Sequence, residues 1–189
     1  MKASENPFRS AEIAKLRYRI STADRKVILD ALRSGSGSFA IVGPEGTGKT
    51  TLLEELHARI DAEAHPAEWH RLCESSSRPE RAAVVTRLCR TAHTGRIHFL
   101  DGGEVLGPID WLRLRLAARR GLRLVATLHR NRGFKVLHET RPDWSVARSL
   151  LNELASDDEL VAIARNAFEQ YRGNVREVFR ACYWACARR

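Results

Sequence analysis

Residues 43–50 read GPEGTGKT and meet the spacing G-x-x-x-x-G-K-[ST] at every fixed position. The octapeptide follows an apolar run, Phe39-Ala40-Ile41-Val42, and precedes Thr51-Leu52-Leu53-Glu54-Glu55-Leu56, whose apolar spacing is helical. A strand, a glycine loop and a helix in that order confine the chain to a narrow set of folds. Gly43, Gly46 and Gly48 let successive backbone N–H groups turn inward, and the helix aims the positive end of its dipole at the same point. Such a concavity suits a di- or triphosphate. Lys49 adds a mobile cation for the outer phosphates, and Thr50 offers a hydroxyl to Mg²⁺, which prefers hard oxygen ligands. Gly43, Pro44, Glu45, Gly46, Thr47, Gly48, Lys49, Thr50 and Thr51 are therefore the candidate nucleotide-binding segment.

Strand and helix patterns alternate downstream. The loop helix is expected to run to about Ala64, before His65-Pro66 stops it. Ala67–Cys73 reads as a less buried strand, Glu80–His93 as a helix capped by Ser75-Ser76-Ser77-Arg78-Pro79, and Arg96–Asp101 as a third strand. Ile109–Arg120 is a helix ended by Gly121, Leu122–His129 a fourth strand and Phe134–His138 a fifth. From Asp143 the strands stop, and three helices are expected at Trp144–Ala155, Asp157–Tyr171 and Val175 to about Ala187. Upstream, Ile13, Leu16 and Ile20, then Val27, Ile28 and Leu32, suit two short helices before the break Ser34-Gly35-Ser36-Gly37-Ser38. The expected fold is α/β: a mainly parallel five-stranded sheet flanked by helices, plus a small all-helical C-terminal lid. Its parts are a helical arm (1–34), a phosphate-loop core (35–143) and the lid (144–189).

With 189 residues, the chain has room for one good core and a small second lobe. No apolar run reaches membrane-spanning length, and the start, MKASENPFRS, lacks the apolar stretch of a signal peptide, so a cytoplasmic protein is expected. Cys73, Cys89, Cys182 and Cys186 form no C-x-x-C pair and are expected as reduced, buried or half-buried thiols. Cys89 and His93 sit one helical turn apart, but no second ligand pair has finger-like spacing. The net charge of +9 points to an acidic partner, although 27 of the 32 basic residues are arginine in an alanine-rich chain. Position is more telling. Arg113, Arg115, Arg119, Arg120, Arg123, Arg130, Arg132 and Lys135 follow one another without a balancing carboxylate. They form either a solvated helix face and loop or a contact surface for nucleic acid, a protein client or a neighbouring subunit.

Three further positions carry chemistry. Asp101, ending the apolar strand Ile97-His98-Phe99-Leu100, is placed to hold Mg²⁺ with Thr50. Glu104, freed to swing by Gly102-Gly103, is the nearest candidate for a base that activates water, with an ordinary helix-capping or surface role equally open to it. Thr127, with His129 as second choice, puts a polar group at the end of a central strand, where it can feel a γ-phosphate or simply be satisfied in the core. If subunits pack in a ring, Arg130 or Arg132 can reach a neighbour's nucleotide.

In this order the elements resemble the AAA+ ATPases. The tail DDELVAIARNAFEQYRGNVREVFRAC is similar to their lid, with the Gly-Asn-x-Arg signature at Gly173-Asn174-Val175-Arg176. The resemblance implies that Lys49 and Thr50 belong to the first Walker motif and Asp101 to the second. It also implies that Thr127 is the first sensor and Arg176 a second sensor directed at the phosphates. Asn6-Pro7-Phe8 is similar to a box found near the adenine in some members. ATP and Mg²⁺ are the implied ligands. The chain departs from the pattern in having Gly102 where a catalytic glutamate usually follows the aspartate, little chain between the fourth and fifth strands, and no further substrate-handling domain. The leading expectation is a Mg²⁺-dependent ATPase or ATP-driven switch acting on a partner. The alternatives are a nucleotide-binding assembly module without useful hydrolysis, homo-oligomeric or not, and a small nucleotide phosphatase or kinase.

Overall fold

The structure, a computed structural model, describes residues 5–34, 37–63 and 65–188, which divide into two compact units. One comprises Ile20–Gly43 and Lys49–Thr140. Five strands, β1 (Phe39–Val42), β2 (Ala67–Arg71), β3 (Ile97–Asp101), β4 (Arg123–Leu128) and β5 (Lys135–Glu139), form one sheet in the order β2-β3-β4-β1-β5. Every pairing is parallel. Parallel neighbours need a crossover, and helices supply it: α3 (Lys49–Ala62), α4 (Arg78–Arg90) and α5 (Pro108–Arg119) link β1 through β4. α1 (Ser10–Ile13) and α2 (Thr22–Arg33) precede the sheet in the chain.

Covering a sheet on both faces demands continuous apolar strands, and β3 is buried along its whole length. Val85 and Leu88 of α4 pack with Trp111 and Leu114 of α5 onto Leu100, Leu124 and Ala126. α3 buries Leu52, Leu53, Leu56 and Ile60. Each such leucine contributes about 1.5–3 kcal/mol on burial. Ser77 starts α4 by accepting the Glu80 N–H at 3.4 Å, while the Glu80 carboxylate takes the Ser77 N–H at 2.6 Å. Because all five strands run the same way, the segments following β1, β2, β3 and β4 emerge at one edge, where open α/β sheets bind ligands.

The other unit comprises the chain up to Arg19, Pro44–Gly48 and the chain from Arg141. Here α6 (Trp144–Leu154), α7 (Asp158–Gln170) and α8 (Val175–Ala187) enclose Phe8, Leu151, Leu160, Ala164, Val178 and Phe179. Each helix begins on a side-chain cap, from Asp143, Asp157 and Asn174 respectively. Asn6 is buried, donating to the Tyr183 carbonyl at 2.9 Å and accepting the Phe8 N–H at 3.0 Å.

The five strands lie where the periodicity predicts them, as do the three tail helices. The first expected helix is cut short. α1 ends at Ile13, and residues 16–20 carry no regular structure. In this stretch the Tyr18 ring occupies the space beside Gly48, and Arg19 pairs with Glu153, so tertiary contacts replace helical ones. α3 ends at Ala62; Ala64, its expected last residue, lies outside the described residues, as do Gly35 and Ser36. Among the described residues no helix is long and apolar enough to cross a membrane.

Candidate nucleotide-binding site

The phosphate loop follows β1 directly. The Gly43 N–H donates to the Leu128 carbonyl at 3.1 Å, and Lys49, buried at the start of α3, lays its amine on the Gly43 carbonyl at 2.8 Å. Within the helical unit, Thr47 Oγ1 donates to the Pro44 carbonyl at 2.8 Å, and the Val175 N–H donates to the Gly46 carbonyl at 3.2 Å. Gly46 has φ +72°, and a Cβ there would stand 1.9 Å from Asn174 Oδ1, so both backbone and neighbour require glycine. Arg176 Nη1 lies 3.5 Å from Glu45 Oε1, which puts the expected second sensor beside a loop residue. Thr51 is half-buried in the first turn of α3.

Asp101, almost wholly buried at the end of β3, gathers the polar groups of the sheet edge. Its Oδ1 accepts the Thr50 hydroxyl at 2.9 Å and the Thr127 hydroxyl at 3.0 Å. Its Oδ2 stands 3.6 Å from Arg71 Nε. The Gly102 N–H donates to Thr127 Oγ1 at 3.0 Å, so Thr127 joins the carboxylate to the turn behind it. Thr50 and Asp101 offer a hydroxyl and a carboxylate and no thiol or imidazole, a donor set that fits Mg²⁺. They would hold the ion, which when bound would neutralise phosphate charge.

Glu104 follows Asp101 by three residues. It is exposed on the short 3-10 turn Gly103–Val105, with Oε1 3.8 Å from His129 Nε2. Gly102 explains its absence from the usual position: φ is +78°, and a Cβ there would stand 1.9 Å from the Leu72 carbonyl oxygen. No glutamate fits at 102 without moving β2's exit.

The basic stretch is spread over α5, β4 and the loop after it, and Arg115 of α5 lies beside Gly133 of that loop. Arg123, half-buried at the start of β4, donates to the Gly95 carbonyl at 2.8 Å and to the Leu32 carbonyl, while Arg130 and Arg132 are exposed beyond the strand's other end, about 17 Å away. Arg113, Arg115, Arg119 and Arg120 are exposed on and just after α5. Cys73 is exposed, not half-buried as expected, because it lies past the end of β2 rather than within it. Arg71 is the residue that sequence reasoning missed. Its signal is register: Arg71 is paired with Asp101 across β2 and β3.

A glycine loop joining the first strand to a helix, with a buried aspartate ending a strand separated from that first strand by one other, defines a P-loop nucleoside-triphosphatase fold. No protein-family model matches the sequence, and no curated protein matches it. Solved structures do. The replication initiator DnaA bound to AMPPCP and single-stranded DNA aligns with a TM-score of 0.61 at 15% identity, over 85% of this chain and 59% of its own. AMPPCP-bound DnaA from Aquifex aeolicus gives 0.56 at 15%, over 85% and 61%, and a DNA replication initiation factor 0.54 at 14%, over 85% and 60%. The chain thus has the AAA+ P-loop ATPase fold and spans about three fifths of the length of these structures.

Proposed function

We propose that the chain binds ATP with Mg²⁺ and works as an AAA+-type switch with slow turnover, acting on a nucleic-acid partner. The observation that carries this reading is the Asp101 carboxylate, which takes the hydroxyls of Thr50 and Thr127 on one oxygen at the edge where the phosphate loop emerges. Lys49 exchanges the Gly43 carbonyl for the outer phosphates when ligand arrives. Among the described residues the Arg176 guanidinium pairs with exposed Glu45, a contact worth about 0–1 kcal/mol, so a triphosphate competes for it readily. Its transfer to a phosphate is the switching event. The AMPPCP and single-stranded DNA held by the DnaA structure support both ligands by analogy of fold. The exposed arginines of α5 and the loop after β4 are the candidate phosphate contacts. Arg130 and Arg132 are also the candidates for reaching a neighbouring subunit.

Slow turnover follows from Gly102, since the adjacent base is sterically excluded and Glu104 stands by His129 instead. Single-turnover hydrolysis with protein in excess tests the reading. Stoichiometric ATP uptake, slow ADP formation and loss of that residual rate in Glu104→Gln are expected. Rapid turnover indifferent to Glu104→Gln contradicts the slow-switch reading, and phosphoryl transfer to an added nucleoside favours a kinase. Affinity for single-stranded DNA should fall steeply with salt, and a salt-independent affinity removes the nucleic-acid partner.

A further inference from the structure

A second group of ligand-type side chains lies on the sheet beside the end of α4. Glu68 of β2 stands opposite His98 of β3, and Glu68 and His70, two residues apart, share a face. His70 Nε2 is 3.1 Å from His98 Nδ1; Glu68 Oε1 lies 3.7 Å from the first nitrogen and Oε2 3.8 Å from the second. Two ligands on a tetrahedral ion at about 2.1 Å stand about 3.4 Å apart, so the three groups already have the spacing of one coordination shell. Both imidazoles are buried, His98 completely.

The hydrogen bonds fix the tautomer of His98. Thr91 Oγ1 donates to the Arg87 carbonyl at 2.8 Å, so its single proton is committed and it accepts from His98 Nε2–H at 3.0 Å. His98 Nδ1 therefore presents its lone pair to Glu68 and His70. An outer hydroxyl orienting a ligand imidazole is how metal sites are tuned.

We propose that Glu68, His70 and His98 bind one first-row divalent ion, Zn²⁺ for preference, with water at the fourth position, as a clip tying the edge strand β2 to β3. Two imidazoles and one carboxylate suit zinc, whereas Mg²⁺ prefers oxygen alone, so this site and the Thr50–Asp101 pair select different ions. Arg87 and Arg96 share the Glu68 carboxylate, and metal entry displaces Arg87 from Oε1. The inference is independent of nucleotide binding.

The test uses the full chain with Cys73 and Cys89 replaced by serine, stripped with chelator and titrated with Zn²⁺ or Co²⁺ in excess Mg²⁺. One equivalent of zinc, a four-coordinate Co²⁺ absorption spectrum and slower amide exchange in β2 are expected. Glu68→Gln and His70→Ala, checked for folding by circular dichroism, should each lose at least about tenfold in affinity, and Thr91→Val about tenfold. Arg87→Ala should bind more tightly and Lys49→Ala unchanged. Folded protein that takes up no stoichiometric metal, or takes it up equally in Glu68→Gln and His70→Ala, overturns the proposal.

Discussion

Thr127 gives its one hydroxyl proton to Asp101: Oγ1 stands 3.0 Å from Oδ1, the oxygen that also accepts Thr50 at 2.9 Å. Thr127 is buried, so under the proposed function it would act on nucleotide through the carboxylate. Thr127→Val should leave the Gly102 N–H and one carboxylate lone pair unpaired, costing about 1–3 kcal/mol of stability and raising the Mg²⁺ needed for nucleotide uptake. Thr127→Ser should restore the Mg²⁺ dependence. Denaturant melts and Mg²⁺ titrations check both, and a valine variant with an unaltered Mg²⁺ requirement contradicts the assignment.

Under the proposed function, Gly102 is the residue that keeps hydrolysis slow. Restoring the usual glutamate by Gly102→Glu should destabilise the fold by about 3 kcal/mol or more, because a side chain at φ +78° meets the Leu72 carbonyl. Urea unfolding measures this. A stable variant with faster ATP turnover would show that the position is open.

The phosphate loop and the five strands were legible because glycine spacing and apolar runs are local signals, and Asp157 and Asn174 mark helix starts by their chemistry alone. What was not legible depends on register and tertiary contact. Nothing in the order of residues says that Arg71 faces Asp101 or that Glu68 faces His98; both follow from the pairing of β2 with β3. The irregular run at 16–20 is not legible because Tyr18 and Arg19 find their partners at Gly48 and Glu153, remote in sequence. That Arg115 of α5 lies beside Gly133 in the loop after β4, while Arg123 turns to the Gly95 and Leu32 carbonyls, is likewise set by tertiary contact.

Arg71 places a cation 3.6 Å from Asp101 Oδ2, where it would compete with the proposed Mg²⁺. Arg71→Ala should lower the Mg²⁺ concentration for half-maximal nucleotide binding about two- to fivefold at low salt, with stability changed by less than about 0.5 kcal/mol because the side chain is 63% exposed. Isothermal titration across Mg²⁺ concentrations checks the direction, and a raised requirement would mean that Arg71 serves the phosphates instead.

Cys73 is exposed, and hydrogen bonds from the Ser75 and Ser76 side chains hold its thiol below the ordinary range, whereas burial pushes Cys182 up to about 11. Iodoacetamide near pH 8 should therefore label Cys73 first and spare Cys182 in the native protein. Peptide mapping by mass spectrometry reads the order, and early labelling of Cys182 would contradict the packing of the helical unit.

The central claim rests on the loop and its lysine. Equilibrium binding of a fluorescent ATP analogue should show about one site per chain, dependent on Mg²⁺, and Lys49→Ala should weaken it at least tenfold while its melting curve still shows a folded protein. Folded protein that takes up no nucleoside triphosphate, or a Lys49→Ala variant that binds like the parent, would contradict the account.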